Sequence, residues 1–172
     1  MADDFKFDDE NRPEDLFKDP LGENEDIARE KGDLEEKEVQ VVGVYESRDQ
    51  GGHQSSEYVV LLRDSRGRSV LILIGKFEAM AISLAHEGAA ADRPLTHDLL
   101  NNVVSKMGGK VERILIDDLW NNTYYAKISI TNDDKQVEFD SRPSDAIALA
   151  LRAKAPIFMV EAVLERASIQ EE

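Results

Sequence analysis

SEYVVLLRDSRGRSVLILIG, residues 56–75, holds two apolar runs separated by Asp64-Ser65-Arg66-Gly67. Short runs rich in Val, Leu and Ile on either side of a turn-forming quartet read as two antiparallel strands of a hairpin. The second run, VLILI, is apolar on both faces, which predicts a central strand covered on both sides. Upstream, VQVVGVYES (39–47) reads as a preceding strand, and Gly51-Gly52-His53 as a flexible loop between them. Downstream the apolar spacing changes from two to three and four. Phe77, Met80, Ala81, Leu84 and Ala85 predict a helix over 76–87 that ends at Gly88. A second helix follows Thr96, read as its N-cap, with Leu99, Leu100, Val103, Val104 and Met107 as the buried stripe.

Three more strands come next, VERILID (111–117), TYYAKISI (123–130) and QVEFD (136–140), separated by asparagine and aspartate turns. Pro143 opens a third helix through SDAIALALRAK, whose alanines permit close packing on a sheet, and IFMVE (157–161) closes as a strand. The expected fold class is α+β, a mixed, mainly antiparallel sheet with about three helices packed on it. The expected domain covers residues 39–168.

Residues 1–38 differ in character. They hold 6 Lys/Arg and 16 Asp/Glu, so two thirds of the net charge of −15 sits there. Apolar residues are scattered among the carboxylates, too few to offset the entropy of ordering, and a disordered acidic tail is expected. A polyanion-like tail also has the charge to mask a basic site on the domain. The global charge gives no long-range attraction to nucleic acid or anionic lipid, so any phosphate must be held by local arginines and lysines.

The sequence has no cysteine, which excludes disulfides, thiolate nucleophiles and cysteine zinc sites. No apolar run approaches the length of about 20 residues that spans a bilayer, and the acidic start is unlike a signal peptide. A cytoplasmic protein without membrane partners is expected.

Two helix starts echo one another: Arg93-Pro94-Leu95-Thr96-His97-Asp98 and Arg142-Pro143-Ser144-Asp145. Each brings an arginine, a chain-fixing proline, a hydroxyl and a carboxylate to the positive end of a helix. Free N–H groups beside an arginine fork suit phosphate, with Arg93, Thr96, Arg142 and Ser144 as the binding groups. The competing structural reading makes Thr96 and Ser144 ordinary caps, and Asp98 and Asp145 simple complements of the helix dipole. His97 is the candidate general acid or base, expected to be exposed just after its cap, and Asp98 is a second catalytic candidate, although neighbours on a helix point in different directions and make no ready-made dyad. His53 and His86 have no evident partner. Convergence of the three helix starts would let Glu78, Asp98, Asp140 and Asp145 supply oxygen ligands to Mg²⁺ or Mn²⁺.

The blocks IGKFEAMAI (74–82), RPLTHDLL (93–100) and DSRPSDAIALALRAKAPI (140–157), in this order and joined by the TYYA strand, resemble the bifunctional nuclease domain family of bacteria and plants. The resemblance runs from about residue 39 to 164. It implies a compact α+β domain, often a homodimer, acting on both RNA and DNA. Glu78 falls in the first block, Arg93, His97 and Asp98 in the second, and Arg142, Ser144 and Asp145 in the third. A nuclease of RNA and/or DNA, assisted by a divalent metal, is the expected function. The alternative is a non-catalytic regulatory module that binds a small anion or a protein partner through the same polar cluster.

Overall fold

A computed structural model describes residues 35–48, 56–133 and 135–169, all within one unit that spans Leu34–Glu172. In chain order the elements are β1 (Glu36–Arg48), β2 (Ser56–Asp64), β3 (Ser69–Ile74), α1 (Lys76–His86), α2 (Thr96–Lys106), β4 (Gly109–Trp120), β5 (Thr123–Asn132), β6 (Lys135–Ser141), α3 (Pro143–Ala153), β7 (Ile157–Val160), α4 (Glu161–Ala167) and β8 (Ser168–Ile169). The strands form one sheet in the order β6-β5-β4-β7-β1-β2-β3-β8. All pairs are antiparallel except β4 with β7. The sheet curls on itself: the Tyr124 hydroxyl of β5 donates to the Leu71 carbonyl of β3 at 3.4 Å, although four strands lie between them.

Turn chemistry explains the hairpins. Asp64 accepts from the backbone N–H of Arg66 and Arg68 at 2.9 and 2.8 Å, and Gly67 takes the positive φ of +84° that closes the β2–β3 turn. Arg68 then reaches from Asp64 to Glu161, fastening the hairpin to the start of α4. Asn121 and Asn122, both at positive φ, make the two-residue turn between β4 and β5.

Four helices, not about three, are present among the described residues, so the expected count is corrected. The additional one, α4, has 7 residues and starts directly on Val160 with no capping side chain, so nothing in the sequence separates it from IFMVE. Val163 and Leu164 bury it. The β1 strand begins at Glu36, and residues 36–39 pair with β7. The acidic tail up to residue 34, and His53 with its glycine loop, lie outside the described residues.

VLILI is also corrected. β3 lies next to the edge of the sheet, and Leu71 and Leu73 are exposed, whereas the central strands are β7 and β1. On α3, Ala146 to Ala150 are all buried, because alanines let this helix press onto β4 and β5 while flanked by α1 and α2. Replacing Ile147 or Leu149 there by alanine costs about 2–5 kcal/mol.

The apolar stripes of α1 and α2 do not face wholly inward as expected. On α1 Ala81 is buried as expected and Leu84 and Ala85 are half-buried, but Phe77 and Met80 are exposed, and Ala79 and Ile82 complete the buried face. On α2, Leu99, Leu100, Val103 and Met107 are exposed; the inward face is His97, Asp98, Asn101 and Val104. Polar partners on α3 turn this helix the other way round. No helix among the described residues is long and apolar enough to cross a membrane.

Candidate active site

Each of the first three helices starts with a carboxylate at its third helical position: Glu78 on α1, Asp98 on α2 and Asp145 on α3. Negative charge in the first turn is favourable because the free N–H groups there carry partial positive charge. What distinguishes these three is that each is also held by an arginine. Arg142, at the N-cap of α3, donates to Asp145 from Nε at 2.6 Å and from Nη2 at 3.1 Å, and to Glu78 from Nη2 at 2.8 Å. Arg152, in the last turn of α3, donates from Nε to Asp98 at 2.5 Å and from Nη1 to the carbonyls of Ala81 and Ala148.

His97 completes the arrangement. Its Nε2 lies 3.0 Å from Asp145 Oδ1, joining the start of α2 to the start of α3. The residue is 9% exposed, so the expectation of an exposed histidine is corrected. Its place off the apolar stripe does not expose it, because that stripe is not the buried face. Burial pushes the Asp145 carboxyl up, yet the hydrogen bonds from Arg142 and His97 outweigh it and hold the group below the usual carboxylate range. Asp98 is held low in the same way: burial is outweighed by the Leu95 N–H and by Arg152. The partners Asp145 and Glu78 keep the Arg142 guanidinium firmly protonated.

A cleft of about 510 Å³ opens over this network, bordered by Phe77, Met80, Pro94, Thr96, His97 and Arg142. Glu78 and Asp145 also line it. The Glu78 carboxylate folds over Gly75, where a Cβ would overlap it, so the absence of a side chain at the α1 N-cap sets the position of this acid.

The residues singled out in the sequence are thus divided. Glu78, Thr96, His97, Arg142 and Asp145 share one cleft. Asp98 turns instead to Arg152 and lines a neighbouring cleft with Leu84, Pro94 and Leu151. Arg93 is exposed just before Pro94 and makes no ion pair with the described residues. Ser144 is buried at the second position of α3, and Asp140 is exposed on β6. Thr96 is the first helical residue; the N-cap is Leu95, and Asp98 caps it by accepting its N–H at 2.8 Å.

Two features escaped sequence reasoning. Arg152 is the one basic residue of an alanine-rich helix whose preceding turns are apolar, and that oddity is the available signal. The His97–Asp145 pairing spans 48 residues and left no local trace.

Residues 60–172 match the family model of the bifunctional nuclease domain. The chain belongs to the bifunctional nuclease domain family. Within this family it is 38% identical over 133 residues to an uncharacterized protein of Mycobacterium tuberculosis, covering 77% of this chain and 76% of that one. It is 28% identical over 116 residues to bifunctional nuclease 1 of Arabidopsis thaliana, covering 63% of this chain and 36% of the plant protein. Bifunctional nuclease 2 of the same plant is 30% identical over 105 residues, or 59% and 32%. The match to the plant proteins therefore takes in about a third of their length, whereas the mycobacterial relative is matched over most of its own. The cleft of this bifunctional nuclease domain is built from residues 77–97 and 142–145, all inside the segment that matches the family model.

Among the described residues no three of His, Asp and Glu gather as a metal ion requires. Glu78 and Asp145 come nearest, and the Arg142 guanidinium already stands between them. Their donor capacity is directed to that cation. This arrangement does not fit Mg²⁺ or Mn²⁺, and Asp98 and Asp140 lie away from it.

Proposed function

We propose that the domain hydrolyses phosphodiester bonds of nucleic acid in the cleft above the starts of α1, α2 and α3. The observation that carries this reading is His97 Nε2 held 3.0 Å from Asp145, an imidazole fixed by a carboxylate beside an arginine. The family, and plant relatives that bear the name nuclease, support it.

Asp145, held below the usual carboxylate range, is ionised at neutral pH and only accepts hydrogen bonds, so Nε2 carries the hydrogen. In the neutral ring Nδ1 then holds the lone pair. Nδ1 removes a proton from water as the water oxygen adds to phosphorus. The bond to the departing sugar oxygen breaks, and the imidazolium returns the proton to that oxygen. Nη1 of Arg142, which none of its bonds to Asp145 and Glu78 uses, meets the charge on the non-bridging oxygens.

The test is cleavage of end-labelled RNA and DNA by purified protein with Mg²⁺, with Mn²⁺ and with EDTA. Cleavage that co-purifies with the chain and falls in His97→Ala supports the reading. A second reading, a regulatory module that binds an anion without turnover, draws on the pairing of Arg142 with two acids. Saturable binding of an oligonucleotide with no cleavage in any of the three conditions would favour it.

A further inference from the structure

Phe77 is 77% exposed at the second position of α1, beside the Glu78 that pairs with Arg142. Large apolar side chains at helical spacing are normally turned inward, and its helix does bury Ala79, Ala81 and Ile82. Instead Phe77 stands on the border of the cleft with Met80 and Pro94, on the same side as His97 and Arg142. An aromatic face next to a phosphate-sized polar site is the pairing that single-stranded nucleic acid recognition uses. A base stacks on the ring while its phosphate meets a cation.

The charge balance points the same way. Gripping a duplex takes a row of cations along the backbone, each exchanged for a counterion. The residues lining this cleft include one arginine against two carboxylates, in a chain of net charge −15. Within this lining that leaves one phosphate subsite, at Arg142, and no row of cations for a second strand. In a duplex, moreover, both faces of each internal base are already covered by its neighbours, so Phe77 has nothing to stack against.

We infer that the cleft takes an unpaired nucleotide, with Phe77 as the residue that selects single strands by stacking one base. The inference rests on the nuclease reading above and narrows it to a substrate class. Stacking reads the flat face shared by all bases and ignores the 2′ position, so RNA and DNA single strands are accepted alike.

The experiment uses the full chain with 12-nucleotide single strands of DNA and RNA that carry one 2-aminopurine, and with the same strands annealed as blunt duplexes. Fluorescence reports stacking, anisotropy reports binding and gel analysis reports cleavage, for wild type, Phe77→Ala and Phe77→Trp. Expected are quenching on binding to wild type and to Phe77→Trp, and loss of quenching in Phe77→Ala. Phe77→Ala should weaken single-strand binding or raise KM about 5- to 150-fold, with little change in kcat. Duplexes should bind and react poorly with all three proteins. Equal use of single strands and duplexes, indifferent to Phe77, overturns the inference while leaving the nuclease reading intact. So does a change in oligomeric state of Phe77→Ala with unchanged nucleic-acid binding, which would assign the ring to a protein interface. Phe77-dependent quenching without cleavage upholds the stacking site and removes the hydrolase reading. Absence of both binding and cleavage removes both.

Discussion

Asp145→Asn isolates the charge that the site is built around, because asparagine keeps the shape of the side chain and removes its negative charge. Asp145 is 31% exposed and Arg142 66%, so their ion pair is well screened and contributes about 0.5–1 kcal/mol. The contact with His97, whose side chain is only 11% exposed, adds about 1 kcal/mol. The carboxylate at the third position of α3 adds about 0.5 kcal/mol through the helix dipole. The total of roughly 2 kcal/mol corresponds to a Tm loss of about 6–8 °C for a domain of this size. The sign with pH follows from the lowered pKa of Asp145. Its stabilisation is present above the unfolded carboxylate value, about 3.9, and is lost as pH falls through the lower folded value. Melting followed by circular dichroism should therefore separate wild type from variant at pH 7 and bring them together in acid, once the pH has fallen through the lowered folded value. Catalysis should fall further, about 100- to 10,000-fold in kcat, because nothing then fixes the tautomer of His97. Equal Tm values at pH 7, or a gap that persists undiminished in acid, would refute the electrostatic reasoning.

Arg152→Ala should cost about 1.5–3 kcal/mol by urea denaturation, since its 9% exposed side chain ties α3 to α1 and α2 and its loss removes the cation bonded to Asp98 Oδ1. The exposed stripe Leu99, Leu100, Val103 and Met107 on α2 is proposed to be covered by a second copy of the chain. Light scattering should then report a dimer for wild type and a monomer for Leu99→Glu/Val103→Glu, whereas a monomeric wild type would contradict the proposal. Deleting residues 1–34, which stops short of β1, removes a net charge of −8 and should tighten nucleic-acid binding, most visibly at low salt. Unchanged affinity at low salt would leave the tail as a solubilising segment.

The hairpins, the ends of the first three helices and the residue blocks of the site were legible because their signals are local. Asp64 with Gly67, the Asn121-Asn122 turn and the Pro143 helix start each act within a few residues. The facing of the helices was not legible, because periodicity finds an apolar stripe without saying what it meets. On α2 the ties of His97 to Asp145 and of Asp98 to Arg152 turn the polar edge inward, and both ties are long-range. The same long-range pairing assigned the site. His97 stands out in the sequence for its titration range, but the acid that holds it, Asp145 on another helix, leaves no local trace. α4 was missed because its 7 residues follow a strand without any boundary residue.

The nuclease reading stands most directly on His97. Cleavage of a labelled single-stranded oligonucleotide should be measured for wild type and His97→Gln prepared side by side, with matching melting curves as a control on folding. A loss of at least about 100-fold in kcat with the fold retained is expected. Equal rates in the two proteins, or no cleavage by wild type with Mg²⁺, with Mn²⁺ or with EDTA, would contradict it.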